Sequence, residues 1–327
     1  MSSLYPLLFK PVLKDYIWGG RNLERLGRDL PAGIIAESWE IAAHEDGTTV
    51  VENGRFANLL LTELHAQLGL DLIGSRCAWA QERGKFPLLI KLLDANQQLS
   101  VQVHPDDDYA LANEGNELGK TEMWVVLDAA PDAAVIFGVA EGTTPEAFRQ
   151  AITDGNLEPY MHTLPVQKGD VVCVPAGSLH AILAGVLIAE IQQNSNTTYR
   201  VYDWNRLQNG KPRALHVDKA LDVINFSQVA PTLCQPPLIA NENGVARYLL
   251  CQNEYFVTER VEMAAGSVFN GRCDGSTLEI WGVIAGSATI EGVELTAVRF
   301  TLLPAALGTF AVTAASEPVT LLRTYVG

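Results

Sequence analysis

Cysteine, histidine and basic charge are all scarce in this 327-residue chain, and each scarcity excludes something. The five cysteines, Cys77, Cys173, Cys234, Cys251 and Cys273, are widely spaced and form no CxxC pair. That pattern argues against a disulfide scaffold and against a four-cysteine zinc site. Lysine and arginine number 23 against 38 aspartates and glutamates, a net charge of −15. Such a surface repels phosphate backbones, so no general nucleic-acid partner is expected. No apolar run reaches the roughly 18 residues of a membrane span. The N-terminus, MSSLYPLLFKPVLKDYIWGG, lacks the basic-then-apolar layout of a secretory leader. Charged residues are 19% and apolar residues 48%, a globular rather than a disordered composition. A soluble, cytoplasmic protein of one large or two modest domains is expected, with no membrane partner.

What the chain does have is many short strands. PLLIKLL (87–93), LSVQVHP (99–105), EMWVVLD (122–128), AAVIFGV (133–139), DVVCVP (170–175), GVLIAEIQQ (185–193) and TTYRVYDW (197–204) are β-rich, with glycine, proline or asparagine in many of the gaps. Their close spacing predicts a sandwich or barrel of the jelly-roll kind. Helices are predicted over 57–83, where Leu60, Leu64 and Leu68 recur at four-residue steps, over 143–155, and in a short turn after His104. Residues 205–240 read as a domain connection containing a short helix at 216–226. From about 245 the chain is again strand after strand. The predicted fold is therefore mainly β: a unit at 1–235 with added helices, and a smaller β unit at 236–327.

Three segments carry candidate chemistry. In Ser100-Val101-Gln102-Val103-His104 the alternation sets Ser100, Gln102 and His104 on one strand face. Alone, this reads as a solvated face. The run from Gly169 to His180 contains G-x5-P-x-G-x-x-H and resembles the second motif of the cupin superfamily, a strand and a Pro–Gly turn that aim a histidine inward. Lys120 and Glu122 share a face at the start of a further strand. Taken together, Gln102, His104, Glu122 and His180 form a nitrogen–oxygen ligand set suited to Zn²⁺ or a similar divalent ion.

Longer stretches sharpen the reading. Tyr16-Ile17-Trp18-Gly19-Gly20, Ala36-Glu37-Ser38-Trp39-Glu40-Ile41, Pro87 to Lys91, Gln98 to Pro105, Gly119 to Trp124 and Asn196 to Trp204 occur in this order. Together they make the chain resemble the type I mannose-6-phosphate isomerases, in their shorter bacterial form, over most of residues 5–235. The resemblance implies two cupin-type jelly-roll units, the first holding one Zn²⁺ on Gln102, His104, Glu122 and His180. It also implies active-site roles for Lys91, Lys120, Glu190 and Arg200, with Lys91, Ser100, Lys120 and Arg200 contacting a phosphorylated hexose. Glu190 is the first candidate for the base and Lys120 the second. Which cation meets phosphate stays open at this stage, as does the oligomeric state.

Two departures accompany the resemblance. The extra helical domain of longer members is absent or reduced between Glu122 and His180, and Ala184 stands where the cupin motif tends to end in asparagine. No histidine follows His216, so the second unit cannot repeat a two-histidine site. His44, His65, His162 and His216 have no motif context and read as surface or core. Trp18, Trp39, Trp124 and Trp204 read as core residues whose indole N–H groups find partners.

The implied reaction interconverts D-mannose 6-phosphate and D-fructose 6-phosphate through an enediol. It needs an acid/base group near C1 and C2, oxyanion stabilisation and cations for the phosphate. Two other readings compete: an iron-dependent cupin oxygenase, and a sugar-phosphate-binding cupin without turnover. The amide at Gln102 and the nearby lysines and arginine favour a phosphorylated substrate, and the intact site set argues against lost turnover.

Overall fold

Strands that are buried on both faces dominate the interior, and they explain the unbroken apolar runs in the sequence. Leu88–Ala95 is buried at every position. Its Leu88, Ile90 and Leu92 pack in a core that also holds Leu278, Ile280 and Leu302 of the last third of the chain. The opposite face carries Lys91 and Leu93, and Leu93 joins a second core with Trp18, Trp124 and Ile188. A near-continuous hydrophobic strand is what two-sided burial requires.

The structure is a computed structural model and describes residues 4–208 and 210–327. Two antiparallel sheets form the first unit. The larger has the order Val171–Val174, Glu122–Ala129, Val186–Gln193, Leu88–Ala95, Glu37–Ile41, Val12–Lys14. The smaller runs Met161–Pro165, Ala134–Val139, His180–Ile182, Val101–Val103, Tyr199–Tyr202. A second pair of sheets, of six and four strands, is built from residues 238–325. The mainly β, two-unit jelly-roll architecture thus agrees with the sequence reading. Among the described residues no helix is long and apolar enough to cross a membrane.

The helices follow their caps. Thr144 accepts a hydrogen bond from the Ala147 N–H, Pro145 opens the helix Pro145–Asp154, and left-handed Gly155 ends it. This is the one α-helix between Glu122 and His180. Asp107–Asn113 is the turn expected after His104. The long helix expected over 57–83 is instead a chain of short pieces: Leu61–Leu68, Leu70–Ile73 and Ala78–Glu82, with a 3-10 turn at Ser75–Cys77. Gly74 makes one break, with φ of +92° and no room for a side chain. A Cβ there would lie 2.5 Å from the Ser276 carbonyl oxygen.

Residues 205–226 do more than connect. The helix Val217–Val223 packs Ala220 into a core with Val101, Val103 and Tyr199. Cys173 and Cys251, separated by 78 positions, are joined by a disulfide that their wide spacing did not suggest.

The second unit sets charge pairs beside an apolar core that includes Val261, Trp281, Phe310 and Leu321. Arg323 donates to both carboxylate oxygens of Glu279 at 2.8 and 2.6 Å, and Arg247 does the same to Glu259 at 2.8 and 2.7 Å. The Trp281 indole N–H donates to Glu279 at 2.9 Å. Removing Arg323 leaves two buried carboxylates short of charge, so Arg323→Ala is expected to lose about 3–5 kcal/mol of stability. Urea unfolding monitored by tryptophan fluorescence checks this; a loss under about 1 kcal/mol, the range of an exposed pair, would contradict it.

Candidate active site

Both sheets of the first unit contribute inward-facing polar side chains to one cavity of 320 Å³. The register brings them together. Lys91 pairs with Glu190 and Glu190 with Trp124 on the larger sheet, while Gln102 lies between His180 and Arg200 on the smaller. Lys91, Ser100, Gln102, Lys120, Glu122, His180, Glu190 and Arg200 all line the cavity. His104 does not itself line the cavity; it is 1% exposed, with its ring centroid 4.7 Å from that of the lining residue His180.

His104, Glu122 and His180 form a compact cluster whose candidate ligand atoms lie within 4.8 Å of one another. His104 Nδ1 is 2.8 Å from the Thr197 carbonyl and His180 Nδ1 is 2.9 Å from the Ser178 carbonyl. A carbonyl only accepts, so each ring carries its proton on Nδ1 and offers the Nε2 lone pair to the cluster. That is the orientation metal-binding histidines adopt. Glu122 Oε1 is 3.5 Å from His180 Nε2, and Glu122 Oε2 is 3.6 Å from His104 Nε2. Glu122 Oε2 is buried without a hydrogen-bond donor, although the Lys120 ammonium lies 2.9 Å away. Two neutral imidazoles and an under-satisfied carboxylate suit a divalent cation. The Gln102 amide borders the cluster, with Nε2 3.3 Å from His180 Nε2.

Burial drives the proton affinities. It pushes His104 well below the ordinary histidine value, with Lys120 and His180 adding to the effect. It brings His180 down to about 4, with Lys120 again contributing. Burial raises Glu190 above the usual carboxyl range, and the Glu122 charge raises it further. At Lys120 burial works against the ammonium, but Glu122 and Glu190 outweigh it and hold its pKa above the ordinary lysine value. Glu190 Oε2 accepts a hydrogen bond from the Trp124 indole at 3.2 Å, and its Oε1 has only the Lys91 ammonium at 3.6 Å.

Arg200 closes the opposite wall. Its Nε donates to Ser100 Oγ at 3.1 Å and its Nη1 to the Ala214 carbonyl at 3.0 Å. Beside it stands Arg213, held by Asp203. Arg213, Glu37, Tyr16, Asn196 and Thr198 line the cavity and were not singled out from the sequence. Glu37 carried a signal: Glu37-x-Trp39 repeats the spacing of Glu122-x-Trp124, and in both the indole donates to the glutamate two positions earlier. Arg213 carried none, because its place depends on the hairpin Leu207–Gln208 with Lys211–Pro212. Of the expected core tryptophans, Trp39, Trp124 and Trp204 have indole partners, and Trp18 and Trp124 also line the cavity.

Comparison with known proteins gives a consistent picture. Residues 7–126 match the family model for the catalytic domain of type I phosphomannose isomerases. A Bacillus subtilis protein described as a probable mannose-6-phosphate isomerase is 36% identical over 323 residues, covering 96% of this chain and 98% of its own. A mannose-6-phosphate isomerase of Streptococcus mutans is 40% identical over 265 residues, 80% of each chain. The crystal structure of the Bacillus subtilis mannose 6-phosphate isomerase superposes with a TM-score of 0.86 over 98% of this chain and 99% of that one, at 33% identity.

The neutral histidines generate a prediction. Metal-loaded protein is expected to keep its ion at pH about 5.5, where ordinary imidazoles are mostly protonated. Metal analysis after dialysis checks this, and release of most of the ion would contradict it. Glu122→Ala and His180→Ala are each expected to weaken binding by more than the roughly 10–100-fold that loss of an outer partner costs.

Proposed function

The chain belongs to the type I phosphomannose isomerase family, and from that premise we propose that it interconverts D-mannose 6-phosphate and D-fructose 6-phosphate in the cytoplasm, with one Zn²⁺ per chain. His104, Glu122 and His180 would hold the ion, with the Gln102 amide beside them offering a fourth ligand. Residues 1–235 form the catalytic domain and 236–327 a cupin-like unit without ligands. The observation that carries this reading is the meeting, in one cavity, of the histidine–glutamate cluster, a carboxyl with a raised pKa and a set of cations.

When bound, the ion supplies a Lewis acid that polarises the sugar carbonyl and orders its hydroxyls. Glu190 takes the proton from C2 of the aldose and returns it to C1. Its burial and the Glu122 charge favour the protonated form that the return step needs. Lys120 is the weaker candidate base, since its neighbouring carboxylates keep it charged. As an ammonium it stabilises the developing enediolate oxygen. Lys91, 3.6 Å from Glu190 and 3.7 Å from Glu37, holds the base in place. Arg200, braced by Ser100, binds the phosphate, with Arg213 adding charge beside it.

The test is turnover of mannose 6-phosphate by the purified chain, before and after chelation. Activity that chelation removes and zinc restores is expected. Absence of turnover in zinc-loaded protein overturns the reading, and zinc-independent oxygen consumption by an iron-loaded form would favour an oxygenase. Glu190→Gln is expected to lower kcat by roughly 10²–10⁴-fold while metal content is unchanged. Arg200→Ala should keep its metal and lose activity, chiefly through a higher KM for the phosphorylated sugar. Full turnover in either variant removes the role given to that residue.

A further inference from the structure

Three of the five cysteines meet at one place outside the cavity just described. Cys173 lies on the edge strand Val171–Val174, paired with Met123, and its neighbour Val174 pairs with Glu122. Cys251 lies on Val245–Gln252 of the second unit and is disulfide-bonded to Cys173, with a Cα–Cα distance of 6.1 Å. Cys234 comes from the segment between the units. Its backbone N–H donates to the Val171 carbonyl at 3.3 Å, and its Sγ rests 3.6 Å from Cys173 Sγ. Cys234 is half-buried, whereas Cys251 is 6% exposed. A cavity of 260 Å³ lined by Cys173, Cys251, Glu122 and Tyr255 opens onto the pair.

We propose that Cys173, Cys234 and Cys251 form a thiol–disulfide exchange site that moves a covalent tie between two partners of the strand behind Glu122. The Cys234 thiolate attacks Cys173 Sγ, the sulfur it already contacts. A Cys234–Cys173 bond forms and the Cys173–Cys251 bond breaks. The electron pair leaves on Cys251 Sγ, which takes up one proton in place of the one Cys234 released. One disulfide exists before and after, so the step needs no oxidant. Its rate follows the thiolate fraction of Cys234 and its access to Cys173. In one state the tie joins the two units; in the other it joins the strand to the connecting segment, and the units are held by noncovalent contacts such as the Leu7–Leu302 backbone hydrogen bonds.

The test uses full-length, metal-loaded protein equilibrated with oxidised glutathione at pH 6 and 8.5, quenched with acid, alkylated with a maleimide and mapped by mass spectrometry. In the wild type both the Cys173–Cys251 and Cys173–Cys234 cross-linked peptides are expected, with interconversion faster at pH 8.5. In Cys251→Ser the Cys173–Cys234 peptide is expected to become the main cross-link, and that variant keeps every active-site residue. The proposal is overturned if the wild type shows no Cys173–Cys234 peptide at pH 8.5, or if Cys251→Ser fails to form one.

Discussion

A carboxylate 1% exposed to solvent, set between two buried histidines and a buried lysine, is the constraint on which the catalytic unit depends. Burying a lone charge is costly, and a single ion pair rarely offsets that cost. Glu122 is compensated in stages. Lys120 lies 2.9 Å from it, the Trp124 indole donates to Oε1 at 3.0 Å, and both histidine lone pairs point the same way. Apart from the Lys120 ammonium, Oε2 has no protein donor, and a divalent cation would be accommodated there. His104, Glu122 and His180 all sit on or beside paired strands. A cluster of this kind holds its geometry only when each backbone is fixed by its neighbours.

The second unit answers the same architectural problem differently. It too places a glutamate two positions before a tryptophan, Glu279-x-Trp281, with the indole donating to the carboxylate. Where the first unit leaves a cavity, the second inserts Arg323 between Glu279 and Glu259. Bidentate arginine pairs satisfy these carboxylates with protein alone. The other face of the sheet that holds Glu279 carries Leu278, Ile280 and Leu302, which share a core with Leu88, Ile90 and Leu92 of the first unit.

How much of this was legible in the sequence depends on the distance over which each contact is made. The shared face of Ser100, Gln102 and His104 follows from strand alternation, and the turn aiming His180 follows from Pro175 and Gly177. These are local features, and the structure brings all four residues to the site. The Lys91–Glu190 contact is a matter of register between strands about 100 positions apart, which periodicity does not encode; the family resemblance implied only that both residues belong to the site. The broken helix at 57–83 was misread because the obstacle at Gly74 is Ser276, some 200 positions away. The cysteine cluster was illegible for the same reason, its members lying 61 and 78 positions apart.

Net charge alone would make this molecule a poor host for a dianionic sugar phosphate. Screening removes most of that objection, because exposed charges beyond about 10 Å are damped at physiological salt while those lining a buried cavity are not. Within the cavity, Lys91, Lys120, Arg200 and Arg213 face Glu37, Glu122 and Glu190. The two lysines lie close to the carboxylates, so little positive charge is left there for a ligand. A divalent ion on the histidine–glutamate cluster shifts that local balance strongly. On the proposed function, an ion held there would add positive charge beside the phosphorylated sugar as well as polarise its carbonyl.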